Sequence, residues 1–566
     1  MTRFFAFVLG VASLLLACGD PRATRSRGNR PESLVLIHTA DLHSHLFPER
    51  QLVSQFDESH GLGQRGELAE VGGVARVATV IATIRAGARQ SLYLDSGDLV
   101  EGTAAFDVFG GEPELRAFSA LGLGAAALGN HDLSMAVEAF SHLHMQFARF
   151  PVLAANIADN GSELASALAK SVVLQAHGAH SALTLEVGVI GVANPTSPPD
   201  LARADNPYGI ELVPIASAVQ SQIDRLRPEV DVLVAVSHLG LEGDERLIDD
   251  TTGLDVVLGG HQHLALDAAL ERMDCGPALA AERGCSPQRV VVVHSGALGR
   301  YVGELDLELG PALVRDRSND GPRAWAVASA EHSLIPISAD LAADPAMADL
   351  LEPYRERLLA AGFYTPLALA LAKVERYAEG GADSALGNLV TDAMRAQSGA
   401  DIGLLNATGL RADLAPGELT RAAFAAALPF DDTLTVLTLS GAQLQTLFNR
   451  QARVASDRDC RTPVQISGLN LSFKCSGAAS SARLRMSSGR TLVAGDTYTL
   501  VTSAYLADGA SGFEVLTEAR ARRALESTPL DATLETALAL PSCTESALPC
   551  LDPRAFRDQR ISLSPD

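Results

Sequence analysis

The chain has 566 residues, 47% of them hydrophobic and 5% aromatic, and a formal net charge of −23. That length exceeds what one hydrophobic core serves, so two globular domains are expected. The acidic balance repels a phosphate backbone and excludes binding of nucleic-acid polymers as the main role, while a small anionic substrate would need local positive charge.

Residues 1–18 read as an export signal rather than as part of the fold. Arg3 gives a positive start, Phe4 to Leu16 is apolar but too short to span a bilayer, and Leu15-Leu16-Ala17-Cys18 has the small-residue pattern of a cleavage site. That site resembles a bacterial lipobox, which makes Cys18 the expected lipidated first residue of the mature protein and its lipid the only membrane contact. An ordinary cleaved signal is the plainer alternative. Residues 19–32, rich in Pro, Arg, Gly and Ser, read as a tether. The other six cysteines fall in close pairs, Cys275/Cys285, Cys460/Cys475 and Cys543/Cys550, each flanking a Gly/Pro/Ser-rich loop. Neighbour pairing into local disulfides fits an oxidising compartment, periplasmic or at the cell surface.

From residue 33 short apolar runs alternate with helix-like segments, the rhythm of a layered α/β domain. Five runs end in metal-type ligands. Leu34 to Ile37 leads into Asp41 and His43, Leu92 to Leu94 into Asp98, and Ala125 to Leu128 into Gly129-Asn130-His131-Asp132. Val232 to Val236 leads into His238, and Val256 to Leu258 into Gly259-Gly260-His261-Gln262-His263. Ligands in α/β sheets sit just beyond strand ends, so the five ends are expected to converge. Each motif alone is weak, since a lone Asp-x-His is common by chance. Five in sequence on one alternating frame are not.

Asp, neutral His and an Asn carbonyl suit a divalent transition metal of the Mn, Zn, Co or Fe class, and no thiolate or CxxC pattern competes. Asp98 has two oxygens and is the candidate bridge between two ions. Two dications against Asp41 and Asp98 leave a formal charge of about +2, enough to attract phosphate despite the acidic surface. Two such ions, about 3.5–4 Å apart, can hold a bridging hydroxide for in-line attack on a phosphate ester. His38 is expected to pack beneath the site, His45 to be either ligand or neighbour, and His294 to stand at the cleft rim as a weaker candidate. The remaining histidines read as solvated or structural.

Tyr301 to Asp306 reads as a last strand of the first domain, and Asp344 to Ala361 has helical periodicity that suits a linker helix or the first helix of a second domain. Expected boundaries are 33–335, a linker at 336–362, and a smaller α/β domain at 363–566. In that domain Asn406 and Arg411 lie on a Gly-containing loop after a strand, where Arg411 offers two parallel donors to an anion. Phe430 and Tyr505 are able to sandwich a flat ring. Each aromatic by itself is more often core than ligand.

The series D-x-H, GD, GNH[DE], SHLG and GGHxH resembles the calcineurin-like metallophosphoesterases, and the chain as a whole is similar to the 5'-nucleotidase / UDP-sugar hydrolase family. The resemblance implies a four-layer first domain, sheets flanked by helices, and a C-terminal substrate-binding domain. It implies one ion among Asp41, His43, Asp98 and His263, the other among Asp98, Asn130, His238 and His261, and His131 as the catalytic histidine. Asn406 and Arg411 are implied to bind substrate and Phe430 and Tyr505 to stack on a base. Three positions depart from the family pattern. The acid that usually pairs with the catalytic histidine, three residues later, is Ser134 here, with Asp132 the nearest acid to substitute. An arginine commonly found before the (E/D)SxLGN motif is missing around Gly380, and a ribose-binding acid falls at Ser511. The expected function is hydrolysis of nucleotide phosphate esters. The alternatives are the same chemistry on a cyclic or non-nucleotide ester, or a non-catalytic surface protein that keeps the fold for binding.

Overall fold

The structure, a computed structural model, describes residues 32–564 apart from 135–136, 159–160, 177, 179–183, 195–210, 312–324 and 431. The side chains of residues 134–140 and 311 lie outside the description, as do the expected signal at 1–18, Cys18 and residues 19–31 of the tether.

Residues 32–336 contribute strands β1 (Glu32–Thr39), β2 (Glu49–Leu52), β3 (Leu68–Val71), β4 (Ser91–Asp95), β5 (Ala125–Ala127), β6 (Val152–Leu153) and β7 (Ser171–Ala176). They continue with β8 (Leu185–Val192), β9 (Val232–Ser237), β10 (Val256–Gly259), β11 (Leu270–Met273), β12 (Arg289–His294), β13 (Tyr301–Pro311) and β14 (Trp325–Pro336). One six-stranded sheet has the order β14-β13-β1-β4-β5-β6 and the other β11-β12-β10-β9-β8-β7. The strands β1, β4, β5 and β6 are parallel, as are β8, β9, β10 and β12, and antiparallel strands lie toward the edges.

The near-continuous apolar runs read from the sequence have a physical reason, because both faces of each central strand are covered. Leu34, Leu36, Leu92, Leu94, Val232, Val234, Val236, Val256 and Leu258 meet in one core between the two sheets. The alternating residues Val35, Ile37 and Tyr93 face a helical layer that includes Val74–Gly87 and Glu112–Ala120. On the second sheet Leu233, Ala235 and Val257 face Ile215–Leu226 and Leu241–Asp249. The result is the expected four layers, helix on sheet on sheet on helix.

The helix expected as a linker spans Pro345–Ala360, with the Asp344 side chain accepting from the Met347 N–H at 2.8 Å. Met347, Leu351 and Leu358 belong to the core of the first domain, and the Tyr354 hydroxyl donates to Glu112 at 2.8 Å. It therefore packs on the outer helical layer of the first domain.

Beyond it a five-stranded sheet runs in the order Val464–Ser467, Ile402–Asn406, Thr497–Ser503, Leu434–Ser440, Ala521–Ala524. The helix Ala385–Ser398 packs on one face and Gly441–Ser456 on the other. Ser384 caps the first helix at Gly387 N–H, and a side chain at Gly387 would strike Gln465 Oε1 at 2.1 Å. Asn388 donates to Asp383 at 2.8 Å and to the Phe556 carbonyl at 2.9 Å. The Ser-x-Leu-Gly-Asn stretch thus serves this domain's own packing.

The six cysteines pair as neighbours, Cys275–Cys285, Cys460–Cys475 and Cys543–Cys550. The Cys460–Cys475 bond closes a separation of 15 residues, for which chain entropy gives roughly 3 kcal/mol of stabilisation.

Candidate metal centre

All five ligand-bearing loops leave the carboxyl ends of parallel strands, so they share one rim across the two sheets. The loops after β1 and β4 are zipped together by main-chain bonds: Asp41 N–H to Gly97 O (2.9 Å), His43 N–H to Asp98 O (3.0 Å) and Ser44 N–H to Leu99 O (3.1 Å). The third loop is pressed against them. A side chain at Gly129 would lie 2.1 Å from Asp98 Oδ1, and one at Gly97, where φ is +93°, would lie 2.7 Å from Gly129 N. The glycines of GD and GNH are required by this close approach. Asp41, His43, Asp98, His261 and His263 all have positive φ, at 51°, 50°, 57°, 77° and 55°. Such conformations are held only where surrounding structure over-determines them, and they cluster at functional sites.

Among the described residues the candidate ligands gather into three overlapping groups, Asp41/His43/His263, His43/Asp98/His131 and Asp41/Asp98/His238, with ligand atoms in each within 4.8 Å of one another. His43 Nδ1 donates to the Glu101 carbonyl at 2.9 Å and His238 Nδ1 to the Ser96 carbonyl at 2.7 Å. Those bonds fix the tautomers and turn both Nε2 lone pairs inward, as in metal-binding histidines. His43 Nε2 then lies 3.0 Å from His263 Nε2 and 3.6 Å from Asp98 Oδ2, and His238 Nε2 lies 3.0 Å from Asp98 Oδ2. With His43 fixed in this tautomer, its Nε2 lone pair faces the Asp98 carboxylate acceptor to acceptor, an arrangement that a cation between them relieves. Asp98, 1% exposed, stands between His43 and His238. His261 Nδ1 and Asn130 Oδ1 are 3.1 Å apart, and Asp41 accepts from the His261 N–H.

The electrostatics agree with a cation site. Burial, the largest influence, lowers His43 well below its usual value and His263 to about 3, where Arg411 acts in the same direction. Burial also opposes charge on His238, but Asp98 and Asp41 outweigh it and push the group up to about 10. Imidazoles, an amide and buried carboxylates, with no thiolate, form a donor set that fits divalent transition metals.

His131 follows at the rim, its N–H bonded to Asp98 Oδ1 at 2.8 Å. Asp132, expected as the acid beside it, lies elsewhere: its carboxylate accepts from the main-chain N–H groups of Gly129 (2.8 Å), Leu99 (2.9 Å) and Asp98 (3.1 Å). Adjacent residues on a tight turn point apart, so Asp132 holds two loops together. The ring nitrogen Nδ1 of His131 is instead hydrogen-bonded to Glu101 Oε2. Burial lowers the His131 pKa, yet Asp98 and Glu101 together raise it. Sequence reasoning stopped at Asp98 and missed Glu101, although a carboxylate three residues past a bridging ligand was the available signal. The side chain of Ser134 lies outside the described residues.

Other histidines separate cleanly. His38 is buried with its Nε2 3.1 Å from His332 Nε2. His45 Nδ1 pairs with Glu49 at 3.0 Å and is absent from the ligand groups. His294, expected at the cleft rim, is fully buried and paired with Asp244 at 3.0 Å, because β12 runs through it before the chain turns.

Two substrate-binding candidates reach the cluster from the C-terminal domain. The Phe430 ring stacks on His131 with centroids 5.8 Å apart and planes 22° off parallel, and Arg411 Nη2 lies 3.4 Å from His263 Nε2. Asn406 donates to Thr408 at 2.8 Å, and the Tyr505 hydroxyl bonds Ser511 Oγ at 2.8 Å, so both bond within their own loops. Arg376, which the sequence reading passed over, donates to the Arg411 carbonyl.

Comparison with known proteins agrees with this architecture. Residues 34–265 match the calcineurin-like phosphoesterase family and residues 363–518 the 5'-nucleotidase C-terminal domain. The chain is 26% identical over 527 residues to 5'-nucleotidase of Diplobatis ommata, covering 87% of this chain and 85% of that one. It is 26% identical over 539 residues to 5'-nucleotidase of Homo sapiens, covering 89% and 88%. Among solved structures, the 5'-nucleotidase precursor from Thermus thermophilus superposes with a TM-score of 0.74 at 25% identity, covering 92% of this chain and 99% of that one. The protein belongs to the 5'-nucleotidase family of calcineurin-like phosphoesterases, metal-dependent hydrolases of phosphoric esters.

Proposed function

We propose that the protein is an exported nucleotide phosphohydrolase whose first domain carries the chemistry and whose second domain holds the organic part of the substrate. The observation that carries this reading is the meeting of the two domains, with Phe430 stacked on His131 and Arg411 beside His263. An aromatic face and a guanidinium lie where a base and an anion would need them.

Two divalent ions, held by Asp41, His43, Asp98 and His263 and by Asp98, Asn130, His238 and His261, would supply Lewis acidity toward a phosphoryl group. The chain's own residues do the rest. Glu101 and Ser96 carbonyls hold His43 and His238 in one tautomer. Arg411 offers donors to the substrate anion, and Phe430 with Tyr505 stacks on its ring. His131 presents its Nε2 proton to the phosphoryl charge or the leaving oxygen. A second reading, the same chemistry on a cyclic or non-nucleotide ester, is favoured by Ser511, whose hydroxyl bonds Tyr505 where a ribose-binding acid would stand.

The test is phosphate release from nucleotides, cyclic nucleotides and sugar phosphates after chelation and reloading with Mn, Zn or Co in turn. Activity is expected to fall to background on chelation, return on reloading, and be highest on nucleoside monophosphates. Preference for a cyclic or sugar ester would favour the second reading, and no turnover by metal-loaded protein would leave only a binding role.

The three disulfides support an oxidising compartment, and no helix among the described residues is long and apolar enough to cross a membrane. We infer anchoring by lipid on Cys18. Cys18→Ser is expected to move the protein from the membrane fraction to the soluble one, and an unchanged distribution would sink the anchor.

A further inference from the structure

Glu101 touches two histidines of the site with two different groups. Its main-chain carbonyl accepts from His43 Nδ1 at 2.9 Å, and its carboxylate Oε2 meets His131 Nδ1. The two rings stand edge to face, with centroids 4.8 Å apart. The residue is firmly held in place. It is 8% exposed, it sits at φ 63°, and the next residue, Gly102, lies so close to His43 that a side chain there would be 2.7 Å from the His43 carbonyl. Thr103 Oγ1 ties the same loop to the Ser44 carbonyl at 2.9 Å. A carboxylate fixed in this way on Nδ1 keeps the proton there and leaves Nε2 to face the substrate. Asp132 has no part in this, because its oxygens serve three main-chain N–H groups.

We propose that Glu101 is the positioning residue of His131, supplying from the loop after β4 the carboxylate that the family pattern places at position 134, where this chain has serine. The inference rests on the reading of His131 as the proton donor. It makes one loop residue responsible both for the tautomer of a metal-binding histidine, through the backbone, and for the orientation of the histidine that faces the leaving group, through the side chain. Replacing the side chain therefore disturbs only the second function.

The experiment compares Glu101→Gln, Glu101→Asp and the double variant Glu101→Gln/Ser134→Asp with the parent, on AMP and on p-nitrophenyl phosphate. Metal content is measured on every preparation. Glu101→Gln is expected to lower kcat on AMP by about 10- to 100-fold with KM nearly unchanged and both ions retained. The loss on p-nitrophenyl phosphate should be much smaller, since that leaving group departs without a proton, and Glu101→Asp should fall between Gln and the parent. Recovery of AMP hydrolysis in the double variant would show that what was lost is a carboxylate on His131. An equal loss on both esters, a loss accounted for by missing ions, or AMP turnover within about twofold of the parent would overturn the proposal. His131→Ala run alongside separates the two ideas. If it leaves AMP turnover intact the proton-donor reading fails, and if it slows turnover while Glu101→Gln does not, only the role of Glu101 fails.

Discussion

Asparagine at position 98 is expected to leave a folded protein that cannot hold two ions and has lost at least about a thousandfold in kcat/KM. Asp98 is the candidate ligand placed most closely against both sides of the cluster, with Oδ2 3.0 Å from His238 Nε2 and 3.6 Å from His43 Nε2, whereas Asp41 Oδ1 stands 3.9 Å from His238 Nε2 and 3.8 Å from His263 Nε2. Its other oxygen holds the His131 N–H at 2.8 Å. Asparagine keeps the shape and one carbonyl oxygen, so the loop should close as before. It removes the negative charge that lets buried imidazoles share the space with dications. Burial disfavours the charged carboxylate, yet His238, His131 and His43 together hold its pKa well below the usual range, so the charge belongs to the design of the site. Metal analysis of the purified variant should give one ion or none per chain, with a circular dichroism spectrum like that of the parent. Two retained ions with activity within tenfold of the parent would refute the bridging role.

Alanine at position 131 is expected to act differently, lowering kcat by about 10²- to 10⁴-fold while both ions stay bound. His131 shares one group of close ligand atoms with His43 and Asp98 but stands outside both proposed four-ligand sets, and its ring lies between the cluster and Phe430. What the variant loses is a positively inclined imidazole at the leaving-group side. Isothermal titration with Mn should return the parent's stoichiometry, and single-turnover rates on AMP should carry the whole deficit. An undiminished rate would remove His131 from the chemistry and leave the charge stabilisation to the ions and Arg411.

The strand ends were legible because each ligand is local to its strand: an apolar run sets the position and period, and the next few residues must emerge at the rim. That Asp41, His43, Asp98, His238 and His263 come together at one rim needed no knowledge of how the loops touch. The partner of His131 was not legible in the same way. Glu101 reaches it across a sequence separation of 30, by way of a left-handed residue that turns the side chain back toward the cluster. Nearness in sequence favoured Asp132, but a tight turn sends neighbours to opposite sides. His294 misled for a related reason, since Val293-His294-Ser295-Gly296 looks like a strand ending at a loop, while the strand runs on through His294 and buries it against Asp244. The 345–360 helix shows the limit of periodicity. The apolar spacing identifies the helix, but nothing local tells which domain's core receives Met347, Leu351 and Leu358.

The backbone at the rim also bears on which residues could replace the ligands over evolutionary time. Aspartate, asparagine and histidine are the side chains, after glycine, that most readily tolerate left-handed conformations. Asp41, His43, Asp98, His261 and His263 are all in that region. Threonine, valine or isoleucine at these places would be rejected by the chain itself before any question of metal affinity arose. The ligand alphabet of the site is therefore restricted twice, once by the ion and once by the turn geometry, and drift toward other chemistries would require the loops to be rebuilt along with the side chains.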